Sequence, residues 1–228
     1  MIDANALRTK IIEAAIRGLL TEREDGDGTA GELLERIDAE RLELQKAKVI
    51  KKTKPLAPVA EDEEPFAIPE TWEWVRFGNV ISLKSGQDLN RSAFNSDGAG
   101  MPYLTGASNV DDGGRLIINR WTTQPKSIAK RGDLLVTCKG TVGKLAILDE
   151  DEAHIARQFM AITTIGFDAD YARIFMDAII TGLKAKQKGL IPGIERSDVL
   201  NLCFPLPPLE EQRRIVARVN ELLLVLPE

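Results

Sequence analysis

Side chains that could bind a nucleic acid lie in four short polar segments in the middle of the chain. Segments 84–91 and 157–158 place cations beside amides, whereas segments 105–109 and 139–144 combine hydroxyl groups, an amide or lysines with glycines. Cations bind phosphates, and guanidinium and amide groups hydrogen-bond base edges. The candidate residues are Lys84, Gln87, Asn90, Arg91, Thr105, Asn109, Lys139, Thr141, Lys144, Arg157 and Gln158. Each segment is equally compatible with an ordinary polar turn.

No combination of residues indicates catalysis or metal binding. His154 is the only histidine, and Cys138 and Cys203 stand far apart without metal-ligand spacing. Segment 140–144 is too short for a phosphate-binding loop of the Gly-x4-Gly-Lys-Ser/Thr type, and Leu145 stands where the hydroxyl residue would be. We therefore expect no catalytic residue, no metal, no cofactor and two reduced thiols.

The charge balance predicts a local rather than a general basic surface. The 228 residues carry 30 Lys and Arg against 35 Asp and Glu, a net charge of −5. Acidic residues concentrate in 22–27, 61–64 and 149–152, whereas basic residues outnumber acidic ones between 84 and 144. The start of the chain lacks the pattern of a secretion signal, and no apolar run is long enough to span a membrane. We expect a cytoplasmic protein.

Apolar periodicity divides the chain into four regions and predicts a mixed α/β (α+β) fold. Residues 1–54 predict a helical spacer of two helices, at 7–20 and about 31–52, and the prolines and acidic residues of 55–69 predict a linker. Residues 70–208 predict one globular domain with a mixed sheet, and 209–228 predict the start of a further spacer helix. Within the domain we expect strands at 75–83, 115–119, 134–138, 145–148, 160–165 and 200–206, and a helix at 171–183.

The first and last helices each carry an apolar stripe. Ile215, Val219, Leu222 and Leu226 follow at the spacing of a coiled-coil seam, with Leu7, Ile11 and Ile16 as expected partners. A helix this short is marginal on its own and must pack against something. The stripe fits a helix that joins another chain, and it also fits a helix that covers its own domain.

Four motifs in sequence order resemble those of the DNA specificity subunits of type I restriction-modification systems. Segment 205–216, PLPPLEEQRRIV, resembles the signature that ends each target-recognition domain of that family. Segment 68–78, IPETWEWVRFG, is similar to the opening of such a domain. Segments 102–110 and 132–144 resemble its middle motifs, and the helical stretches 7–20 and 33–37 resemble its flanking helices.

This resemblance implies a non-catalytic subunit that recognises a half-site in double-stranded DNA. It would direct partner methyltransferase and restriction subunits to that site, with helical spacers that pack antiparallel and set the distance between half-sites. Full-length members carry two recognition domains, whereas this chain shows one, so the resemblance predicts a half-subunit, which could form a homodimer, or a fragment. The acidic total leaves an alternative: a helical interaction or assembly protein whose degenerate recognition domain binds DNA weakly.

Overall fold

The computed structural model describes residues 3–186 and 193–226, which contain ten β-strands and six α-helices. The helices are α1 (Ala4–Ile16), α2 (Ala30–Lys46), α3 (Phe77–Val80), α4 (Ala169–Lys186), α5 (Arg196–Leu200) and α6 (Leu209–Leu224). The strands are β1 (Glu73–Arg76), β2 (Ile81–Ser85), β3 (Met101–Leu104), β4 (Trp121–Thr122), β5 (Ile128–Lys130), β6 (Leu134–Thr137), β7 (Leu145–Ile147), β8 (Glu152–Ile155), β9 (Phe159–Thr164) and β10 (Cys203–Leu206). No helix within the described stretches is both long and apolar enough to cross a bilayer.

The chain divides into two compact units. The helical unit comprises Met1–Ile81, Thr164–Lys186 and Leu200–Glu228, and the sheet unit comprises Ser82–Thr163 and Gln187–Val199. The helical unit therefore draws on three separate stretches of the sequence. The regions expected at 1–54, 55–69, 70–208 and 209–228 stay a prediction.

Local capping explains where the two N-terminal helices begin. The Asp3 carboxylate accepts hydrogen bonds from the backbone N–H groups of Asn5 (3.0 Å) and Ala6 (3.3 Å) at the start of α1. Thr29 and Glu32 form a reciprocal capping box at the start of α2. The second helix ends at Lys46, earlier than expected, because the chain turns at Lys48, where φ is +58°.

An aromatic cluster forms the centre of the helical unit. Phe204, on β10, lies with its ring centroid 4.8 to 5.7 Å from those of Phe77, Phe167, Tyr171 and Phe175. The strand that carries it pairs antiparallel with β1, with Val75 opposite Phe204. Helix α6 packs against α1 and α4 in the same unit.

The end signature of the predicted domain is built into this unit by two buried polar side chains. Glu211 accepts hydrogen bonds from Trp72 Nε1 (2.8 Å) and Thr21 Oγ1 (3.2 Å), and burial raises the pKa of its carboxyl. Gln212 accepts from the Asp168 N–H (3.0 Å) and donates to the Pro207 carbonyl (2.8 Å). Both residues therefore fix the start of α6 against the rest of the helical unit.

The sheet unit contains two four-stranded sheets with the strand orders β2-β9-β6-β7 and β4-β3-β8-β5. Strands β3 and β8 run parallel, whereas β4 and β5 pair antiparallel with them, so that this sheet is mixed. A continuous core lies within the unit. It comprises Leu104, Val110, Ala129, Leu135, Ala146, Leu148, Ala153, Ile155, Phe159 and Ala161.

The mixed α/β class is confirmed, and four of the expected strands are observed as β6, β7, β9 and β10, the last of which begins at Cys203 because α5 extends to Leu200. The expected strand at 75–83 is wrong, because the short helix α3 separates β1 from β2. The expected strand at 115–119 is also wrong, since only Leu116 pairs there, in an isolated bridge with Val110. The strands that the sequence analysis missed are β3, β4, β5 and β8, which have two to four residues and each contain a proline or a polar residue that interrupts the apolar run.

Candidate nucleic-acid interface

A recess of about 550 Å³ opens on the sheet unit where several of its loops meet. Thr105, Lys139, Thr141 and Gln158 line it, so four of the residues predicted from separate segments share one surface. Phe94, Tyr103 and Arg120 also line the recess. An open concave surface with hydroxyls, an amide, cations and aromatic rings suits a polar, anionic ligand.

The loop after β2 is held by backbone contacts. Gly86 N donates to Phe159 O (3.0 Å), and Gln87 N donates to Ile155 O (2.9 Å). A Cβ at Gly86 would lie 2.0 Å from the carbonyl oxygen of Ala156, so only glycine fits this close approach. The side chain of Gln87 remains exposed.

His154 holds the same loop through hydrogen bonds of its buried ring, so its role is structural. Its Nδ1 accepts hydrogen bonds from the N–H groups of Lys126 and Ser127, both at 3.1 Å. Nε2 must therefore carry the proton, and it donates to the Gln87 carbonyl oxygen at 2.8 Å. Burial lowers the pKa of the imidazole and favours the neutral ring.

Asn109 is not available to contact DNA, which corrects its place among the candidates. Its side chain is 0% exposed. Oδ1 accepts from Thr105 N (2.7 Å), Thr105 Oγ1 (3.2 Å) and Gly106 N (3.3 Å), and Nδ2 donates to Ile117 O (2.7 Å). The amide therefore builds the turn that positions Thr105.

Three of the predicted cations are occupied by contacts within the unit. Lys144 Nζ donates to Val110 O (2.7 Å) and lies 3.2 Å from a carboxylate oxygen of Asp112. Arg157 Nε forms an ion pair of 2.9 Å with Asp88, which also accepts from the Arg157 N–H. Lys84 donates to the carbonyl of Ile128. None of these cations lines the recess.

Asn90 and Arg91 also lie outside the recess, with exposed side chains. Arg91 opens a short 3-10 turn that ends at Ala93. Together with Gln87 they remain candidates for contacts at the edge of a larger interface.

Gln158 combines a fixed position with a free amide. Its side chain packs beside Gly106 of the 105–109 turn, where a Cβ built on the glycine would lie 3.6 Å from the Cβ and Cδ of Gln158, an ordinary van der Waals contact. Within the described part of the chain, no hydrogen-bond partner occupies the side-chain amide. Glutamine can pair in bidentate fashion with adenine, which makes this group a candidate base contact.

Arg120 is a recess residue that sequence reasoning missed. It precedes β4, and its guanidinium carbon lies 5.3 Å from the centroid of the Phe94 ring. The residue stands alone between Asn119 and Trp121. No spacing or neighbouring cation marks it, and only the fold brings it to Lys139 and Gln158.

The predicted apolar seam is largely used within the helical unit. Ile11, Ile16, Ile215 and Val219 are buried, the last two at 0% and 1% exposure. Of the two possibilities left open by the sequence, these positions match a helix that covers its own domain, because α6 packs within its own unit there. Leu7, Leu222 and Leu226 are half-buried. Further along, Leu224 and Val225 are 85% and 78% exposed.

The described residues hold no cluster of three or more His, Cys, Asp or Glu with the geometry of a metal site. Cys138 and Cys203 are both free thiols.

The family profile and the similar sequences point to the same protein family. The profile of the family described as type I restriction modification DNA specificity domain matches residues 69–224. The chain is 26% identical, over an alignment of 239 residues, to the specificity subunit of the type I restriction enzyme EcoAI from Escherichia coli. It is 28% identical to that of the EcoEI enzyme from the same organism, over 237 residues. These alignments cover 97% and 95% of this chain but 40% and 39% of the relatives, so the chain spans about two fifths of their length.

Solved structures show the same fold. The HsdS subunit from Thermoanaerobacter tengcongensis superimposes with a TM-score of 0.62 at 24% identity, over 96% of this chain and 48% of that one. A second solved chain superimposes with a TM-score of 0.63, also at 24% identity, over 96% of this chain and 49% of its own. It comes from a structural study of complex assembly and conformational transition of the type I R-M system.

Proposed function

This chain belongs to the family of type I restriction modification DNA specificity domains, and from that premise we propose that it recognises a half-site in double-stranded DNA. It then directs methyltransferase subunits, and through them the restriction subunit, to that site. The chemistry of methylation and cleavage belongs to those partners, so this chain acts without catalysis and without a cofactor. The same proposal places it in the cytoplasm, where the cell's DNA is found.

One observation carries the proposal: predicted residues from three separate segments line a single recess of the sheet unit. The hydroxyl-bearing turn at Thr105, the hairpin loop at Lys139 and Thr141, and the free amide of Gln158 meet there. Phosphate contacts position a protein on DNA and base-edge contacts give specificity, so a functional interface needs both kinds of group side by side. This recess offers both.

The distribution of charge supports the sheet unit as the DNA-binding part. Its residues include twelve Lys and Arg against eleven Asp and Glu, whereas the helical unit has eighteen against twenty-four. The acidic total of the chain therefore arises in the helical unit. A nearly neutral unit with cations at its recess can bind a duplex without a net positive chain.

The alternative function, an assembly protein that binds DNA weakly, is favoured by one feature. Arg157 and Lys144 are paired with carboxylates, and Asp88 lines the recess itself. An acidic group at this place repels phosphates and lowers affinity. Under this alternative the chain acts chiefly through its helices.

Gel-shift titration against a random duplex, with and without the methyltransferase chain, tests the two functions. Recognition predicts salt-sensitive binding that gains sequence preference when the methyltransferase is present. The sites are then obtained by co-expressing both chains and mapping methylated positions in the host DNA. Formation of a complex with the methyltransferase, without DNA binding or new methylation, would favour the assembly protein.

We further propose that the end of α6 joins a partner, either a methyltransferase subunit or a second copy of this chain. Leu222 is half-buried and stands beside the exposed Leu224 and Val225. We expect Leu222→Asp to prevent association while the sheet unit stays folded. Light scattering of the chain alone and with the methyltransferase measures this, and complexes of unchanged mass would refute it.

A further inference from the structure

Arg120 is held in place at both its backbone and its side chain. Its carbonyl accepts a hydrogen bond from Tyr103 N (2.8 Å), which ties it to β3. The next residue, Trp121, exchanges two backbone hydrogen bonds with Asn95, at 2.8 and 3.0 Å, and so holds Phe94 nearby. The guanidinium rests over the Phe94 ring. A planar cation stacked on a ring keeps its N–H groups free for a ligand.

Of the four other arginines in residues 82–163, Arg91 lies outside the recess and the other three form ion pairs. Arg115, Arg131 and Arg157 form ion pairs with Asp111, Asp151 and Asp88 at 2.9 to 3.0 Å.

Within that described stretch, no carboxylate forms an ion pair with Arg120, and the same holds for Lys139. Both residues are exposed, and both line the recess. The recess therefore holds two cations without an ion-pair partner in that stretch, and the Asp88 carboxylate that also lines it is paired with Arg157.

We propose that Arg120, together with Lys139 of the same recess, binds a phosphodiester group of the DNA backbone. The inference rests on the proposed DNA-binding function and adds to it a residue and a ligand chemistry. The guanidinium fork matches two phosphate oxygens, and the lysine adds a point charge. This contact sets the position of the duplex, so that the amide of Gln158 meets a base edge.

The experiment measures the affinity of the full chain for a labelled duplex of mixed sequence, by fluorescence anisotropy, over a series of salt concentrations. Each phosphate contact contributes about 0.9 to the slope of log affinity against log salt. We expect Arg120→Gln to reduce the magnitude of this slope by about 1, on every sequence alike. Arg120→Lys should restore most of the slope, because the charge is kept.

Arg115→Gln is the matched control, since it removes the same charge from an exposed arginine that is already paired with Asp111. Its slope should equal that of the unaltered chain. Equal slopes for Arg120→Gln and Arg115→Gln would overturn the inference while leaving DNA binding intact. A loss confined to one sequence would overturn it too, because that result indicates a base contact. If the unaltered chain showed no salt-dependent binding, the proposed function itself would fail, and this inference with it.

Discussion

Two glutamines, one in each unit, show how differently the two regions of this molecule use the same side chain. Gln212 lies in the recognisable end signature and is fully buried, with both ends of its amide bonded to backbone groups. Gln158 lies in no distinctive motif, and its amide faces the recess without a partner among the described residues. The motif that identifies the family therefore stabilises the fold, whereas Gln158, the candidate specificity residue, lies in a loop without a recognisable motif.

The difference between Gln212 and Gln158 has a physical reason. A buried amide must have its hydrogen bonds satisfied, so any change at Gln212 leaves backbone groups of the helical unit without partners. Gln158 is half-buried, and its amide lines an open recess without a protein partner in the described part of the chain, which leaves it free to bind a ligand. Stability and recognition should therefore respond separately to substitutions in the two units.

Gln212→Ala should give the largest loss of stability. It leaves the Asp168 N–H and the Pro207 carbonyl without partners, each at roughly 1–3 kcal/mol, so we expect the free energy of unfolding to fall by about 2–6 kcal/mol. Urea denaturation followed by circular dichroism measures this. Gln158→Ala is the matched control, and a comparable loss in that control would erase the contrast between the units.

Asn109→Ala should show that the contrast depends on burial rather than on the unit. Asn109 belongs to the sheet unit, yet its amide is consumed by Thr105, Gly106 and Ile117. We expect a loss of about 1–3 kcal/mol in unfolding free energy, together with weaker DNA binding because the Thr105 turn is no longer fixed. Unfolding curves give the first quantity and anisotropy the second. Full stability in this variant would show that the turn forms without the amide.

The pH dependence of stability should show the effect of a second buried side chain of the sheet unit, His154. Burial lowers the pKa of His154 below its ordinary value of 6.5, so the unfolded chain binds the proton first as the pH falls. Stability from this residue is complete above about pH 6.5 and is lost below it, at up to about 1.4 kcal/mol per pH unit. Denaturation at several pH values should show this slope, and His154→Asn should remove it. An unchanged slope in the variant would assign the effect to other groups.

Gln158→Ala should change stability least, by less than about 0.5 kcal/mol, because the amide has no partner to lose. Its effect should appear in DNA recognition instead. We expect relaxed preference at one base pair, worth about 1–3 kcal/mol in discrimination. Competition binding between the mapped target and its single-base variants tests this. A uniform loss on all sequences would instead make Gln158 a backbone contact.

Much of the fold followed from local patterns. The apolar stripes of α1 and α6 and the runs of β6, β7 and β9 matched helices and strands because periodicity reflects burial of one face. The strand predicted at 75–83 failed because its apolar run hides the break at α3, where Phe77 and Val80 are buried in a helical turn. The structure places four of the predicted site residues in one recess: Thr105, Lys139, Thr141 and Gln158. The side chain of Asn109 is buried instead.

The sequence alone determined the class of fold, the family and the polar segments from which a DNA interface could be built. Which of those polar groups are free depends on contacts that form when the chain folds. Asn109, Lys144 and Arg157 looked the same in sequence as Lys139 and Gln158, but in the fold they are occupied by Ile117, Val110 and Asp88 respectively. Arg120 could be recognised as a candidate only from the structure, which places its guanidinium over the Phe94 ring. Residue type and spacing report which groups a side chain carries, whereas the partners that occupy those groups depend on what the fold brings into contact with them.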